Sequence, residues 1–314
     1  MNDISIIICS QNRENALRKT LNSLSLVSFP KEFEIELLLI DNSSDDNTYE
    51  LMQSFNIPGI PVRAIQAFPK GLSVARNKGV AEARGKVLLF TDDDVRFPDE
   101  WIFPMTSPIL SGEADAVAGG VSLCPELRKD WLSSTHRSVL ASTEKIDKKD
   151  PERIVGANMA ISKEVFNKIP AFDTELGAGR LGAGEETLFS LQMKQSGFKI
   201  KSAFDTEVMH CPDPARVSRD WFAKAAGTFG KSDAYISYHW KHRRHAFIPL
   251  FLGLSVYRTQ LDLKNRLYNG HEDIKSEMPL WEFKLLRKIH RLQMHLELKN
   301  SDFKYELHGF TKID

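Results

Sequence analysis

The sequence predicts an α/β protein in which a mostly parallel sheet is covered by helices on both faces. Short apolar runs typical of buried strands alternate with segments in which apolar residues recur at helical spacing. The loops between these segments are short, as in consecutive β-α-β units. Polar residues follow directly after several apolar runs, and in such sheets ligands bind at the carboxyl ends of the strands.

The individual elements follow from this local pattern. Strands are predicted at residues 4–10, 34–40, 62–66, 87–91, 116–123, 155–161, 198–203 and 207–210. Helices are predicted at residues 17–24, 49–55, 72–83, 101–110, 163–169 and 185–196. The long polar stretch between residues 125 and 153 has no periodicity and predicts a surface loop with a short helix, a common form for a lid over a site.

The strand predicted at residues 87–91 ends in three consecutive carboxylates, Asp92, Asp93 and Asp94. On an extended chain Asp92 and Asp94 point to one side and Asp93 points away. Adjacent carboxylates repel one another unless solvent or a cation separates them. Two oxygen ligands at this position suit Mg²⁺ or Mn²⁺. The alternative is a solvated acidic turn that precedes the helix beginning near Asp99.

Composition narrows the class of protein. Lys and Arg total 42 and Asp and Glu total 42, so the net charge of zero predicts no nucleic-acid partner. Three widely spaced cysteines fit neither a disulfide framework nor a zinc site, which predicts a reducing, cytoplasmic location. The first ten residues are too short and uncharged for a signal peptide.

Six segments in order resemble a family 2 glycosyltransferase with the GT-A fold. They are IIICSQNR at 6–13, LIDNSSDDNT at 39–48, GLSVARNKG at 71–79, FTDDD at 90–94, GANMA at 156–160 and GEE at 184–186. The resemblance implies an inverting transfer of a sugar from a nucleotide-diphosphate sugar, most often a UDP-sugar, to a hydroxyl of a glycan or lipid-linked acceptor. Such enzymes commonly build surface polysaccharides or glycolipids.

The resemblance also implies roles for residues around the donor. Asp41 matches the carboxylate that binds the nucleotide base, and Ser10 and Arg13 lie in the loop that lines the nucleotide. Arg76 matches a residue that contacts the donor, and Asp92 matches the first acid of the family's Asp-x-Asp pair. A turn residue is the alternative for Asp41, and a surface charge on a helix is the alternative for Arg76.

The resemblance also implies which residues bind the metal ion and which residue is the general base. Asp94 and His210 match ligands of Mg²⁺ or Mn²⁺, although a histidine bonded only to backbone would also fit at position 210. Glu186 matches the catalytic base, in a Glu185-Glu186 pair where the family usually has Glu-Asp. With an ordinary pKa of about 4.3 it would be ionised at neutral pH. The alternative is a pair of acids that complements a helix N-terminus.

The composition changes after residue 212, so the sequence predicts a catalytic domain at 1–212 and a helical region at 213–314. The basic run Lys241-His-Arg-Arg-His245 precedes an apolar segment at 246–257 that is too short to span a bilayer. This combination predicts peripheral contact with an anionic membrane surface. Packing on the catalytic domain or in a homodimer is the alternative.

Other functions fit less well. Residues 177–182 (GAGRLG) match a dinucleotide-binding fingerprint, but no strand is predicted directly before them, and we interpret them as a loop that faces the substrate. A haloacid-dehalogenase-type phosphatase would need Thr or Val where Arg96 lies. A nucleotidyltransferase would need a glycine-rich loop after the first strand. A non-catalytic module that binds sugar nucleotides is the remaining alternative.

Overall fold

The computed structural model describes residues 3–149, 151, 153–268 and 277–307. Parts of the predicted helical region, 269–276 and 308–314, therefore lie outside the described residues. The strands are β1 (Ile4–Ser10), β2 (Ile35–Asp41), β3 (Val62–Gln66), β4 (Val87–Asp92), β5 (Val95–Arg96), β6 (Ala116–Leu123), β7 (Asn158–Ser162) and β8 (Ile200–His210).

The helices alternate with the strands in the first half of the chain and follow one another in the last third. They are α1 (Glu14–Leu24), α2 (Thr48–Ser54), α3 (Leu72–Glu82), α4 (Ile102–Leu110), α5 (Ser134–Val139), α6 (Glu185–Gln195), α7 (Arg219–Tyr235), α8 (Phe247–Tyr268) and α9 (Leu280–Leu298). A π-helical turn, Ile236–Trp240, extends α7.

The eight strands form one sheet in the order β3-β2-β1-β4-β7-β6-β8-β5. β1 pairs in parallel with β2 and β4, and β2 pairs in parallel with β3. β7 runs antiparallel to both β4 and β6, β6 and β8 are parallel, and β5 is antiparallel to β8. The predicted α/β class is confirmed, while the sheet is mixed because β7 inserts antiparallel between two parallel blocks.

Buried apolar side chains lie on both faces of the sheet. Alternate residues of β1 belong to different clusters: Ile6 and Ile8 pack with α1 and α4, whereas Ile7 packs towards α3 and α6. Strands buried on both faces read as continuous apolar runs, which is why β1, β2 and β4 are recognisable in the sequence. The two helical layers cover the faces of the sheet and leave the carboxyl ends of these strands uncovered.

Three predicted elements differ from the structure, and one of them, the helix predicted at 163–169, is a 3₁₀ helix at Lys163–Asn167. The strands predicted at 198–203 and 207–210 are one strand, β8, with an irregularity where its register against β6 shifts between Gly119 and Gly120. Such a bulge adds unpaired residues, and these break the alternation that sequence analysis detects. The apolar segment at 246–257 is the first half of the longer helix α8.

The helices of the last third pack on residues 123–140 and on one another. Phe222 of α7 and Phe283 of α9 are buried in one apolar cluster with Leu127, Leu132 and Leu140 of the stretch predicted as a lid. That stretch contains α5. Its residues Leu127, Leu132 and Leu140 are buried, so part of the stretch packs on α7 and α9. Within the described residues, no helix is both long and apolar enough to cross a membrane.

Candidate active site

Three side chains that could share a cation converge at the carboxyl edge of the sheet. Oxygen atoms of Asp92 and Asp94 and a ring nitrogen of His210 all lie within 4.8 Å of one another. Asp94 and His210 are buried, and Asp92 is partly exposed. Two carboxylates and an imidazole form a donor set that suits Mn²⁺ or Mg²⁺.

Strand pairing explains why residues so far apart in sequence meet here. Asp92 ends β4, the chain turns at Asp94, and Val95 of β5 pairs directly with His210 at the end of β8. The backbone N–H of Cys211 donates to the carbonyl of Asp94 at 2.7 Å. The short strand β5 therefore brings His210 beside Asp94, and β5 was not predicted from the sequence.

The contacts of His210 support its assignment to a cation site. Its Nδ1 lies 2.8 Å from the carbonyl oxygen of Leu140, an acceptor, so Nδ1 carries a proton. Nε2 then faces Oδ1 of Asp94 at 3.1 Å. That buried Oδ1 makes no hydrogen bond of acceptable geometry within the described part of the chain. A neutral imidazole and a carboxylate oxygen would present lone pairs to each other, so this contact needs a proton or a metal ion between them.

Charge around Asp94 stabilises its ionised form. Burial opposes ionisation, but His210, Arg13 and Arg216 outweigh it and hold the pKa of Asp94 below its usual range. Burial likewise disfavours the charged form of His210, but the Asp94 carboxylate prevails and raises the pKa of His210. Asp94 is therefore ionised, and the guanidinium groups of Arg13 and Arg216 lie close to it. Arg216 was not singled out in the sequence, because the 3₁₀ turn that carries it approaches Asp94 only in the fold.

Ser10 and Arg13 lie against the acidic turn, and their contact with the donor stays a prediction. The Ser10 hydroxyl donates to Asp93 at 2.5 Å, and Arg13 pairs with Asp93 at 2.7 Å and with Asp94 at 2.6 Å. Burial and the neighbouring Asp94 raise the pKa of Asp93 to about 7, with Arg13 opposing the shift. No role was predicted for Asp93 from the sequence. Its contacts with Ser10 and Arg13 hold the loop after β1 against the end of β4.

Arg76 is buried at the centre of a carboxylate cluster. It lies 2.9 Å from Glu185, 3.0 Å from Glu186 and 3.4 Å from Asp92. Only 3% of its side chain is exposed, so the alternative of a surface charge on a helix is wrong. Arg76 links the metal-side acid Asp92 to the proposed base Glu186, and its contact with the donor stays a prediction.

Glu186 lies in the first turn of α6, and its side chain is 27% exposed. Oε1 accepts a hydrogen bond from the Gly156 N–H at 2.9 Å and lies beside Arg76. Burial and the adjacent Glu185 raise the pKa of Glu186 to about 7, although Arg76 opposes the shift. The sequence prediction used the ordinary pKa of a solvated glutamate, and the burial of Glu186 and its closeness to Glu185 shift its pKa upwards from that value. A base with a pKa near the working pH is well suited to proton transfer.

Asp41 ends β2 and is completely buried. Its two carboxylate oxygens each lie 3.3 Å from the backbone N–H of Ser44, so it stabilises the turn after the strand. The next residue, Asn42, reaches the cleft and accepts a hydrogen bond from the Gly71 N–H at 2.6 Å. Binding of the nucleotide base by Asp41 stays a prediction, and Asn42 is a residue of the cleft that we did not predict.

A cavity of about 260 Å³ lies at the carboxyl ends of β1 and β4, and Asp41, Arg76 and Glu186 are not among its lining residues. Its walls include Ser10, Arg13, Asn42, Asp92, Asp94 and His210, together with Val139 and Ala141 from the stretch predicted as a lid. Ala178 of the glycine-rich loop also lines it, and no strand directly precedes that loop, which agrees with rejecting the dinucleotide fingerprint. Cys9 lines the cavity as well, and burial raises the pKa of its thiol to about 12, which favours the neutral thiol.

A second cavity of about 440 Å³ lies on the other side of Arg13 and Asp94. Cys124 and Cys211 line it and form a disulfide, although the spacing of the cysteines indicated no disulfide framework. The residues before them, Leu123 and His210, are register partners on β6 and β8, which places the two cysteines side by side. Pairing of this kind depends on strand register, which cysteine spacing in the sequence does not reveal.

The sequence model of glycosyl transferase family 2 matches residues 5–169, and the chain belongs to this family. Among known relatives, glycosyltransferase AglE of Haloferax volcanii is 25% identical over 68% of this chain and 67% of its own length. The poly(ribitol-phosphate) beta-N-acetylglucosaminyltransferase TarS of Staphylococcus aureus is 30% identical over 30% of this chain. That match spans only 16% of TarS.

Solved structures share the fold at low sequence identity. GalNAc-T7, solved with UDP, GalNAc and Mn²⁺, superimposes with a TM-score of 0.55 at 16% identity, covering 90% of this chain and 56% of that one. Residues 1–349 of S. aureus TarS, solved with UDP, superimpose with a TM-score of 0.52 at 16% identity, covering 94% and 90%. These likenesses show the GT-A fold.

Proposed function

We propose that the protein transfers a sugar from a UDP-sugar to an acceptor hydroxyl with inversion at the anomeric carbon. The observation that carries this proposal is the convergence of Asp92, Asp94 and His210 within 4.8 Å of one another beside the cavity. The nucleotide would lie in that cavity, where Ser10 and Arg13 line the wall. Asp41 is proposed to contribute to recognition of the base through the turn that it stabilises.

Asp92, Asp94 and His210 would hold Mg²⁺ or Mn²⁺. The unbonded Oδ1 of Asp94 and the orientation of the His210 ring fit such an ion. When bound, the ion would neutralise charge on the diphosphate leaving group. Arg13 pairs with Asp94 in the present arrangement and would be free to approach a phosphate oxygen once Asp94 binds a cation.

Glu186 would act as the general base. Its carboxylate would accept the proton of the acceptor hydroxyl as that oxygen attacks the sugar, a contribution of roughly 10²–10⁴-fold in rate. Arg76 holds Oε1 in place, and the Gly156 N–H binds the same atom, so the second oxygen is the one that would receive the proton. Attack from the side opposite the leaving group is the basis for proposing inversion.

The acceptor is proposed to be a glycan or a lipid-linked glycan, as in surface polysaccharide or glycolipid synthesis. The name of the relative TarS, a poly(ribitol-phosphate) beta-N-acetylglucosaminyltransferase, supports a polymeric acceptor. The cytoplasmic location, the contact with a membrane, the homodimer and the division at residue 212 stay predictions. If the chain divides into two domains at residue 212, α7 and α9 of the second domain pack on residues 125–153 of the first.

The test is nucleotide release from a panel of UDP-, GDP- and dTDP-sugars, with Mn²⁺ and with a chelator. Asp94→Ala and Glu186→Gln are compared with wild type, and Asp205→Ala, a fully exposed acid on β8, is the matched control. We expect metal-dependent release from a UDP-sugar that is lost in Asp94→Ala and Glu186→Gln and kept in Asp205→Ala.

Two results would contradict parts of the proposal. Release that persists in Glu186→Gln but not in Asp94→Ala would leave the cation site and remove Glu186 as the base. Binding of a UDP-sugar by calorimetry, with no turnover in the presence of a panel of glycan acceptors, would favour the non-catalytic binding module.

A further inference from the structure

Helix α8 presents an apolar stripe to solvent. Ile248, Leu252, Val256, Leu263 and Leu267 recur at spacings of four and seven residues, which places them on one side of the helix. Each of these side chains is between 52% and 78% exposed. Soluble proteins seldom expose so many large apolar side chains together unless the surface binds something.

The opposite side of α8 already has its partner. Leu250 and Leu254 are buried, and Gly253 lies close to Leu292 of α9. α8 is therefore held on the protein by one face, and the exposed stripe is not the surface through which it packs. Phe247 and Phe251 widen the exposed apolar surface at the start of the helix, where both are at least half exposed.

Basic residues lie at both ends of this stripe. Residues 241–268 contain six Lys or Arg residues and one acid, Asp262, in a chain whose net charge is zero. Arg243 and Arg244 are exposed directly before the helix, and Arg266 is exposed on the same side as the stripe. Apolar side chains next to basic ones match a bilayer surface of anionic lipid, where the apolar groups enter the headgroup boundary and the basic groups bind lipid phosphates.

A second copy of the chain is a poorer occupant of the same surface. In a two-fold symmetric dimer this face would meet itself, and the basic residues of both copies would be brought together. Juxtaposed like charges oppose such an interface. We propose that α8 and the basic run before it bind the surface of an anionic membrane, with the helix lying in the plane of the interface.

This docking would connect to the catalytic region through the basic run. His242 stacks on Phe303 and lies 2.7 Å from the carbonyl of Tyr305, and the Tyr305 hydroxyl donates to Asp173. Asp173 precedes the glycine-rich loop that leads to Glu186. A protein held on the membrane by α8 would therefore keep its cleft in a defined position relative to the bilayer.

The test is flotation of the full-length protein with vesicles of phosphatidylcholine, with and without phosphatidylglycerol, at low and high salt. We expect binding only to the vesicles that contain phosphatidylglycerol, weakened by salt. Leu252→Glu should lower the bound fraction roughly tenfold or more, and Arg243→Glu with Arg266→Glu should do the same. Leu26→Glu is the matched control, because Leu26 is an exposed leucine next to α1 and far from α8 in sequence.

Equal binding by wild type and Leu252→Glu, or no binding by wild type, would overturn the proposal. Sedimentation equilibrium tests whether the stripe binds a second copy of the chain instead. A wild-type dimer that dissociates in Leu252→Glu would show that it does. Circular dichroism checks that each variant is folded. Release of nucleotide from a UDP-sugar in vesicle-free solution is measured separately, so failure of membrane binding and failure of the proposed catalysis are distinguishable.

Discussion

The Tyr305 hydroxyl donates a hydrogen bond of 2.7 Å to Oδ2 of Asp173, across 132 residues of sequence. Tyr235 of α7 donates to the same oxygen at 2.8 Å. Burial and the Asp173 carboxylate raise the pKa of both phenols, so both stay donors. Two phenols thus anchor the chain just before the glycine-rich loop to α7 and to the segment after α9.

Tyr305→Phe should lower the free energy of unfolding by about 1–3 kcal/mol, since it removes a buried hydrogen bond to a charged group. Urea denaturation followed by circular dichroism measures the change. Tyr49→Phe on α2, where the ring is only partly buried, is the control and should have little effect. An unchanged midpoint for Tyr305→Phe would mean that the bond contributes nothing to stability.

Gly156→Ala should disrupt the contact between Arg76 and Glu186. A Cβ at this position would come within 2.0 Å of Nη2 of Arg76 and 2.1 Å of Oε1 of Glu186, and buried Arg76 has little room to move. A displacement of about 1 Å in a catalytic group can cost about 100-fold in rate. We therefore expect kcat to fall by about that factor in steady-state assays with the preferred donor.

Gly227→Ala on α7 is the matched control, because the nearest side chain to its new Cβ is the His290 ring at 3.3 Å. It should retain kcat. If Gly156→Ala also retained kcat, the position of Glu186 in this structure would not be the one used in the reaction.

The rate of transfer should rise with pH and level off above the pKa of Glu186. Burial and Glu185 raise that pKa to about 7, and only the deprotonated carboxylate accepts a proton. Activity is thus low below this pH and full above it, whereas an ordinary glutamate would titrate near pH 4.3. Single-turnover rates measured between about pH 5 and 8 give the pH at which the rate is half of its maximum. A rate independent of pH between about 5 and 8 would be inconsistent with a buried base at this position.

The disulfide between Cys124 and Cys211 should stabilise the oxidised protein. It spans 87 residues, and closing a loop of this length contributes about 2–4 kcal/mol in most proteins. Cys124→Ser should lose that amount in denaturant titrations, and reduced wild type should match the variant. Thiol titration of the denatured, unreduced chain should find one free thiol, from Cys9. Three free thiols would show that the bond does not form.

Much of the fold and part of the site could be predicted from local sequence. The buried runs in β1, β2 and β4 are apolar on both faces, so their strands and their parallel pairing follow from composition. Asp92 and Asp94 were identified because they follow such a strand directly. The antiparallel insertion of β7 was not predicted, since a short apolar run carries no information about its direction in the sheet.

The sequence by itself determined the family, the α/β class and the acidic turn with its candidate base, because these depend on short segments that can each be recognised locally. Only the tertiary structure decided that His210 faces Asp94, that Arg76 is buried among carboxylates and that Glu186 has a raised pKa. Each of these depends on strand register and on desolvation, which arise from contacts between residues distant in sequence.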